Sequence, residues 1–305
     1  MWLSKCIIYT RKGRERKKNN CLVLSKGRSK SSRDFLFKWK GLRKDLGAKE
    51  IEKNKIIKIL KDLKNEKISV EEAYNFLKIL PFSEIEDIKI DTHRVLRKGI
   101  SEIIYGEGKN LEQLKKIIDF HLKNDIPFLI TRLSEEKYKK LKIKNKSLKY
   151  HKIARALQYK KLNHFTFRGK IGIITAGASD IEVAEEVLTV CRFFSEPAEL
   201  FTDMGVAGIH RLTAFLKERQ KFSAIVAIAG MEGALPSVIA GLVSCPVIGV
   251  PTSAGYGTNL KGFVPLLTML SSCTASVAVV GIDNGVAAGI FATLINCLDE
   301  GGENF

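Results

Sequence analysis

From residue 170 onward the chain alternates short apolar runs with longer segments of helical period. The runs at 170–175, 198–202, 224–229, 246–250 and 277–282 read as strands, and those at 180–193, 208–220, 234–243, 262–270 and 285–298 as helices. Strands apolar on both faces need helices on both sides, which predicts a parallel, doubly wound α/β sheet over residues 168–300. Each strand hands over to a loop carrying glycine or an acid, at 176–180, 203–208, 230–233, 251–257 and 283–285. In such a sheet these loops share one edge, where ligands bind beyond the carboxyl ends of the strands.

Upstream the pattern is weaker. Ile56, Leu60 and Leu63 fall on one helical stripe, and Ser69-Val70-Glu71-Glu72 is a capping box opening a second helix through Leu80 that stops at Pro81. Residues 85–90, 100–105 and 126–132 read as strands, and Asn110 caps a helix running to about His121. The expectation is a smaller α+β domain over residues 51–150, closing in a polar stretch at 137–149. Residues 1–50 have no apolar period. Their runs Arg11-Lys12-Gly13-Arg14-Glu15-Arg16-Lys17-Lys18 and Ser25 to Arg33 cannot bury apolar surface and repel themselves, so a disordered basic tail is expected.

Charge sharpens this division. Of the formal +18, residues 1–50 hold 16 basic and 4 acidic side chains, residues 51–168 hold 28 and 16, and residues 169–305 hold 7 and 13. An acidic globular domain therefore follows a basic front half. Basic chains bind nucleic acid through phosphate neutralisation, and a basic nucleic-acid-binding protein is the alternative reading from another class. It is not the favoured one, because the aromatic residues form no stacking platform and no finger, homeodomain or RNA-recognition signature is present. No segment reaches the roughly 18 uninterrupted apolar residues of a membrane span, so a soluble, cytoplasmic protein without a membrane partner is expected. Six cysteines show no Cys-x-x-Cys spacing, which points to reduced thiols rather than a zinc site or a disulfide framework.

The densest chemistry lies in Ala229-Gly230-Met231-Glu232-Gly233-Ala234-Leu235-Pro236-Ser237-Val238, followed by Pro246-Val247-Ile248-Gly249-Val250-Pro251. Glu232 stands at the mouth of the expected crevice, although that segment alone fits an ordinary loop carboxylate. Gly177-Ala178-Ser179-Asp180 opens a helix whose free N–H groups suit a phosphate, or whose Ser179 or Asp180 is simply the N-cap. His210 is an acid–base candidate or a capping residue. Cys273, beside two serines and between a helix and a strand, is expected on an accessible loop, whereas Cys191, Cys245 and Cys297 lie inside apolar segments and read as structural. Asp180, Asp203 and Asp283 are candidate holders of Mg²⁺, which takes one or two carboxylates plus substrate phosphates.

Together these residues resemble a known family. Gly177-x-Ser179-Asp180, His210-Arg211, Ala229-Gly230-x-x-x-Ala234-Leu235-Pro236 and the 246–251 run are similar to aminoimidazole ribonucleotide (AIR) carboxylase of purine biosynthesis, implying a flavodoxin-like sheet. A closer resemblance adds Glu232 in its run, Ser253-Ala254-Gly255-Tyr256-Gly257, Ser271-Ser272-Cys273 and Ile282-Asp283-Asn284-Gly285. From the front domain it adds Asp91-x-His93-Arg94, Arg97-x-Gly99-x-x-Glu102-x-Ile104-x-Gly106-x-Gly108-Lys109 and Thr131-Arg132. This combination, over about residues 51–298, resembles the LarB family, the pyridinium-3,5-biscarboxylic acid mononucleotide synthases of nickel-pincer cofactor assembly for lactate racemase.

The resemblance implies an enzyme, a homo-oligomer, that carboxylates nicotinic acid adenine dinucleotide at pyridinium C5 with CO₂ or bicarbonate and cleaves its phosphoanhydride, releasing AMP. It implies no organic cofactor; Mg²⁺ is inferred from the anhydride chemistry. It makes Cys273 the thiol that adds at C4 and Glu232 the base, with His210 second. Ser179, Asp180, Arg211, Ser253, Asp283 and Asn284 would bind substrate from the parallel sheet. Arg94, Arg97, Lys109 and Arg132 would grip the pyrophosphate or AMP part from the front domain. An AIR carboxylase or mutase is the enzymatic alternative, and it leaves Cys273 and the front domain without a role.

Overall fold

The computed structural model describes residues 48–78, 83–85, 88–90, 102–162, 166–217 and 221–297. Nearly all of the expected basic tail lies outside the described residues, as do Arg94 and Arg97. The chain divides into two units, Met1–Tyr74 and Asn75–Phe305. Helix α1 (Ala48–Lys64) lies in the first, and α2 (Val70–Lys78) begins there. The Ser69 capping box is present in both directions, with Glu72 N–H donating to Ser69 Oγ (3.1 Å) and Ser69 N–H to Glu72 Oε2 (3.0 Å). The expected stripe on α1 shifts: Ile59 is buried and Leu60 is 51% exposed, because Ile59 stands three residues from Ile56 and four from Leu63.

The second unit opens with β1 (Ser83–Ile85) and β2 (Ile88–Ile90), an antiparallel pair in which Ile85 faces Ile88. The chain reverses there, so the single strand expected at 85–90 is corrected to a hairpin. A mixed sheet follows, built from β3 (Ile103–Tyr105), β4 (Phe128–Thr131), β5 (Leu148–His151) and β6 (Ala156–Tyr159) in the order β3-β4-β6-β5. The parallel step from β3 to β4 is made by α3 (Leu111–Lys123), whose Asn110 cap and Gln113 complete a second capping box. Its buried Leu114, Ile117 and Ile118 join Phe128, Ile130 and Leu157 in one core cluster.

The polar stretch expected at 137–149 is instead helix α4 (Glu135–Leu141) and the start of β5, and the sheet continues to Tyr159. Lysine density hid it. Lys139 and Lys140 pair with Glu135 and Glu136 one turn back on the wet face, while Tyr138 stacks on Tyr150 at 4.3 Å and Leu141 is buried.

The third sheet is wholly parallel: β7 (Lys170–Thr175), β8 (Ala198–Phe201), β9 (Phe222–Ala229), β10 (Val247–Pro251) and β11 (Val277–Val279), in the order β11-β10-β9-β7-β8. Its helices are α5 (Ile181–Phe193), α6 (Leu212–Leu216), α7 (Leu235–Ala240), α8 (Phe263–Leu270) and α9 (Gly285–Cys297). Helices α5 and α9 cover one face, packing Val187, Ala288 and Ala292 on Ile171, Val226 and Ile248; α6, α7 and α8 cover the other through Phe215, Ile239 and Met269. This is the expected doubly wound, flavodoxin-like arrangement. The strand order reverses between β7 and β9, which puts the switch point beside the loop at 177–180. The helix expected at 208–220 begins as a 3₁₀ turn, Val206–Arg211, before α6.

Helices α5 and α9 also carry the mixed sheet. Val190, Phe193 and Phe194 of this layer meet Leu129 and Ala156, with Val286, Ile290 and Leu294 packed against them. Full burial of each phenylalanine contributes roughly 1.5–3 kcal/mol. The close approach of the two helices needs Gly289, where a Cβ would lie 2.8 Å from Val190 Cβ. The front sheet is thereby fixed over the α5 side of the parallel sheet. Among the described residues no helix is long and apolar enough to cross a membrane.

Candidate active site

The loops after β7, β9, β10 and β11 are tied together beyond the carboxyl ends of their strands. Asp180 is the central tie: its carboxylate accepts from Gly177 N–H (3.0 Å) and from Thr252 Oγ1 (2.7 Å), joining the loop after β7 to the loop after β10. Burial pushes its pKa up, the Thr252 and Gly177 bonds pull it down, and the charge of Asp283 adds a further upward push. Asp283, held at φ +55° after β11, accepts from Ser253 N–H at 2.8 Å. The turn bearing Glu232 is closed by Gly233 N–H donating to Gly230 C=O and is held to the β10 loop by Met231 N–H donating to Ala254 C=O (3.2 Å). Gly230 is required there: a Cβ would sit 2.1 Å from that same carbonyl oxygen.

Against this rim the front domain presents two arginines. Arg132, just after β4 at φ +51°, donates from Nη2 to the carbonyl of Asp283, and its Nε lies 3.6 Å from Glu186 Oε1. Arg155, at φ +45°, pairs with Glu182. Both acids belong to α5, the helix that Asp180 opens. Glu186 is 5% exposed; burial raises its pKa, while the Arg132 charge and the Gly285 N–H oppose that rise. A cleft of about 250 Å³ lies among these groups, lined by Arg132 and Arg155 on one side and by Ser179, Thr252, Ser253 and Asp283 on the other. A second cleft of about 330 Å³ borders Arg132 and is lined by Tyr105, Ile282, Asn284 and Val286.

The structure thus brings together Arg132, Ser179, Ser253 and Asp283, with Asp180 behind them and Asn284 next door, where its Oδ1 caps α9 through Ala287 N–H (2.9 Å). Other expected residues stand apart from this cleft. Glu232 is exposed on its turn at the same rim. His210 is exposed and Arg211 pairs with Asp203 on the far side of β7. Lys109 offers its backbone carbonyl to Lys137 Nζ (3.0 Å). Cys273 is exposed between α8 and β11, at the amino end of that strand, whereas Asp283 and the cleft lie beyond its carboxyl end. Cys191 is fully buried and burial drives its pKa far up, as befits an inert thiol; Cys245 is half-buried and raised for the same reason.

Among the described residues no three His, Cys, Asp or Glu side chains gather as metal ligands. Both oxygens of Asp180 already hold loops, and Asp203 is engaged by Arg211. Of the three expected aspartates only Asp283 lines the cleft, beside the arginine-paired Glu182 and Glu186, and one or two carboxylates suit Mg²⁺ when phosphate oxygens complete its shell. Sequence reasoning missed Glu182, Glu186, Arg155 and Thr252. The two glutamates had a signal: at i and i+4 in the first turns of a helix opened by a phosphate-type loop, they share one face toward that loop.

Comparison with known proteins agrees with this architecture. Residues 170–301 match AIR carboxylase, and residues 82–161 match the LarB/PurE-like N-terminal domain. An uncharacterized protein of Methanocaldococcus jannaschii, MJ0165, is 44% identical over 252 residues, covering 78% of this chain and 97% of that one. The N5-carboxyaminoimidazole ribonucleotide mutase of the same organism is 34% identical over 43% of this chain and 80% of its own length. Among solved structures, Treponema denticola PurE is similar at 20% identity over 41% of this chain and 81% of that chain, with a TM-score of 0.34. The parallel sheet is therefore an AIR carboxylase domain, and the family is one of enzymes. With the LarB/PurE-like domain in front of it, the chain belongs to the LarB family.

Proposed function

We propose that this protein carboxylates the pyridinium ring of nicotinic acid adenine dinucleotide at C5 and hydrolyses its phosphoanhydride, giving pyridinium-3,5-biscarboxylic acid mononucleotide and AMP. The observation that carries the reading is the cleft in which Arg132 and Arg155 of the front domain face Ser179, Ser253 and Asp283 of the carboxylase domain. Both arginines lie outside the residues 170–301 that match AIR carboxylase, within the 82–161 match to the LarB/PurE-like N-terminal domain. Two guanidiniums beside the start of α5 suit a pyrophosphate better than a single phosphate.

The chemistry needs a thiol because C5 of a pyridinium is electron-poor and does not attack CO₂. Addition of the Cys273 thiolate at C4 places the electron pair in an enamine whose C5 is nucleophilic. C5 then bonds to CO₂. Glu232 removes the C5 proton, the C–S electron pair leaves with the thiolate, and aromaticity returns. Water cleaves the anhydride separately; Asp283 would hold Mg²⁺ against the phosphates, where the ion supplies charge neutralisation for the departing AMP. Since Cys273 lies at the amino end of β11, the reading takes the thiol from a second copy of the chain, in a homo-oligomer.

The test is incubation of the full chain with nicotinic acid adenine dinucleotide, Mg²⁺ and bicarbonate, with mass detection of products. AMP and a mononucleotide heavier by one carboxyl group are expected. Turnover of N5-carboxyaminoimidazole ribonucleotide instead, with the dinucleotide untouched, would replace this reading by the purine one.

A further inference from the structure

We infer that Ser237 is a positioning residue for the thiol: its hydroxyl, acting through Ser272, fixes the loop that presents Cys273. The inference rests on the proposed thiol chemistry and adds to it the group that aims the nucleophile. The proposed function does not otherwise use Ser237 or Ser272.

The packing of α7 beside α8 brings the two serines together. Both helices lie on the same face of the parallel sheet and meet over Gly249 of β10, where a Cβ would stand 3.1 Å from Met269 Sδ of α8 and 3.5 Å from Pro236 Cβ of α7. The turn ahead of α7 is equally close to the start of α8, since a Cβ on Gly233 would stand 2.7 Å from Pro265 Cα. The helix that follows Glu232 therefore runs alongside α8 toward the loop of Cys273.

At the end of that run Ser237 Oγ donates to Ser272 Oγ at 2.8 Å. Ser272 Oγ also accepts from Thr274 N–H (3.3 Å) and lies 2.6 Å from Thr274 Oγ1. A hydroxyl has one hydrogen and two lone pairs. With both lone pairs of Ser272 taken, its hydrogen is left for Thr274 Oγ1, and the group is fully used. The residues on either side of Cys273 are thus bound to each other, and Ser237 binds the pair to α7. The backbone bonds of Ser271 to Leu267 and of Ser272 to Met269 close α8 before the thiol is reached, so the hydroxyls carry the hold onward.

Cys273 itself is exposed. A nucleophile on a free surface loop samples many directions, and a displacement of about 1 Å at a reacting centre costs as much as a hundredfold in rate. Clamping both neighbours leaves the thiol open to substrate and removes that freedom.

The experiment follows the substrate-sized mass addition at Cys273, at saturating nicotinic acid adenine dinucleotide and without CO₂, in the wild-type chain, Ser237→Ala and Ser237→Thr. Amide exchange at residues 272–274 is measured on the same proteins. Ser237→Ala should form the adduct about tenfold more slowly, reach the same final extent, and exchange about tenfold faster at the loop. Ser237→Thr, which keeps the hydroxyl, should match wild type in both. Partial unfolding would lower the final extent rather than the rate constant, which separates aim from stability. Alanine favours a helix, and the unfolding temperature checks that the fold is kept. A wild-type rate constant in Ser237→Ala, or unchanged exchange at the loop, overturns the positioning role; the adduct in wild type leaves the proposed function standing. A wild type that forms no adduct, with loop exchange still raised by Ser237→Ala and restored by Ser237→Thr, would uphold the clamp and remove the proposed thiol chemistry.

Discussion

The parallel sheet and the mixed sheet differ most in where their charge lies. Residues 169–305 carry 13 acidic and 7 basic side chains, residues 51–168 carry 28 basic and 16 acidic, and the two meet at the α5 layer. At that seam each guanidinium is matched: Arg132 with Glu186 and Arg155 with Glu182. The pairing keeps the cleft nearly neutral before an anion enters. The parallel sheet supplies rigid loops and acids, and the mixed sheet supplies cations on left-handed turns.

The sharpest way to break this division of labour is to remove chemistry from the parallel sheet alone. Cys273→Ala should abolish carboxylation while leaving the fold intact, since a thiol-to-methyl change at an exposed position leaves little cavity. Wild-type protein with substrate and no CO₂ should show a substrate-sized mass addition mapping to Cys273. If the thiol serves a neighbouring copy, co-assembled Cys273→Ala and Glu232→Gln chains should regain activity that neither has alone. A fully active Cys273→Ala protein would end the thiol mechanism. Glu232→Gln, next in size, should slow carboxylation roughly a hundredfold with little change in substrate affinity. An unaltered rate would move the base elsewhere, with His210 the next residue to test.

A third change separates stability from catalysis. Glu196 is 4% exposed after α5; its Oε1 accepts from Asn296 Nδ2 and its Oε2 has no hydrogen-bond partner among the described residues, so burial raises its pKa to about 8 from the usual 4.5. The folded state therefore holds a proton that the unfolded state releases. The associated stability is complete below pH 4.5 and is lost as pH rises toward 8. Unfolding midpoints should fall across that window by an amount corresponding to roughly 2–5 kcal/mol. Glu196→Gln, uncharged throughout, should flatten the dependence and leave turnover alone. An equally steep profile in the variant would refute the assignment.

Legibility followed the same seam. In the parallel sheet β7 appears at its expected residues and the other strands within a few, because uninterrupted apolar runs bounded by glycine permit one reading. Edge strand β11 is shorter, at Val277–Val279, since no described strand pairs with its outer flank. Ahead of the parallel sheet the caps at Ser69 and, in the mixed sheet, Asn110 were readable, whereas α4, β5 and β6 were not. Their apolar positions are sparse, and Tyr138, Tyr150 and Leu157 find each other's cluster only through tertiary packing. The motif loops of the site were legible for a similar local reason. Arg155 and its pairing with Glu182 were not, because a cleft between two domains has no period in the sequence.

The smallest expected effect tests whether the mixed sheet has a structural device of its own. Lys137, read from sequence as one lysine among many, directs its ammonium at the carbonyls of Glu107 (2.7 Å), Lys109 (3.0 Å) and Gly106 (3.4 Å). These carbonyls form the loop between β3 and α3, which also bears the Glu107 carboxylate that holds Tyr105 and whose pKa is lowered chiefly by that hydrogen bond. Three acceptors on one half-buried cation add to the loop's own backbone bonds, which among the described residues are Lys109 N–H to Gly106 C=O (3.3 Å) and Gly106 N–H to Thr131 C=O (2.8 Å). Lys137→Met keeps the aliphatic stem and removes the donors. It should lower stability by about 1–2 kcal/mol and raise amide exchange at residues 106–109. The parallel sheet should keep its protection, because Lys137 touches none of it among the described contacts. If exchange at 106–109 were unchanged, the loop would be ordered by its own turn, and Lys137 would be the solvated lysine that its sequence context suggests.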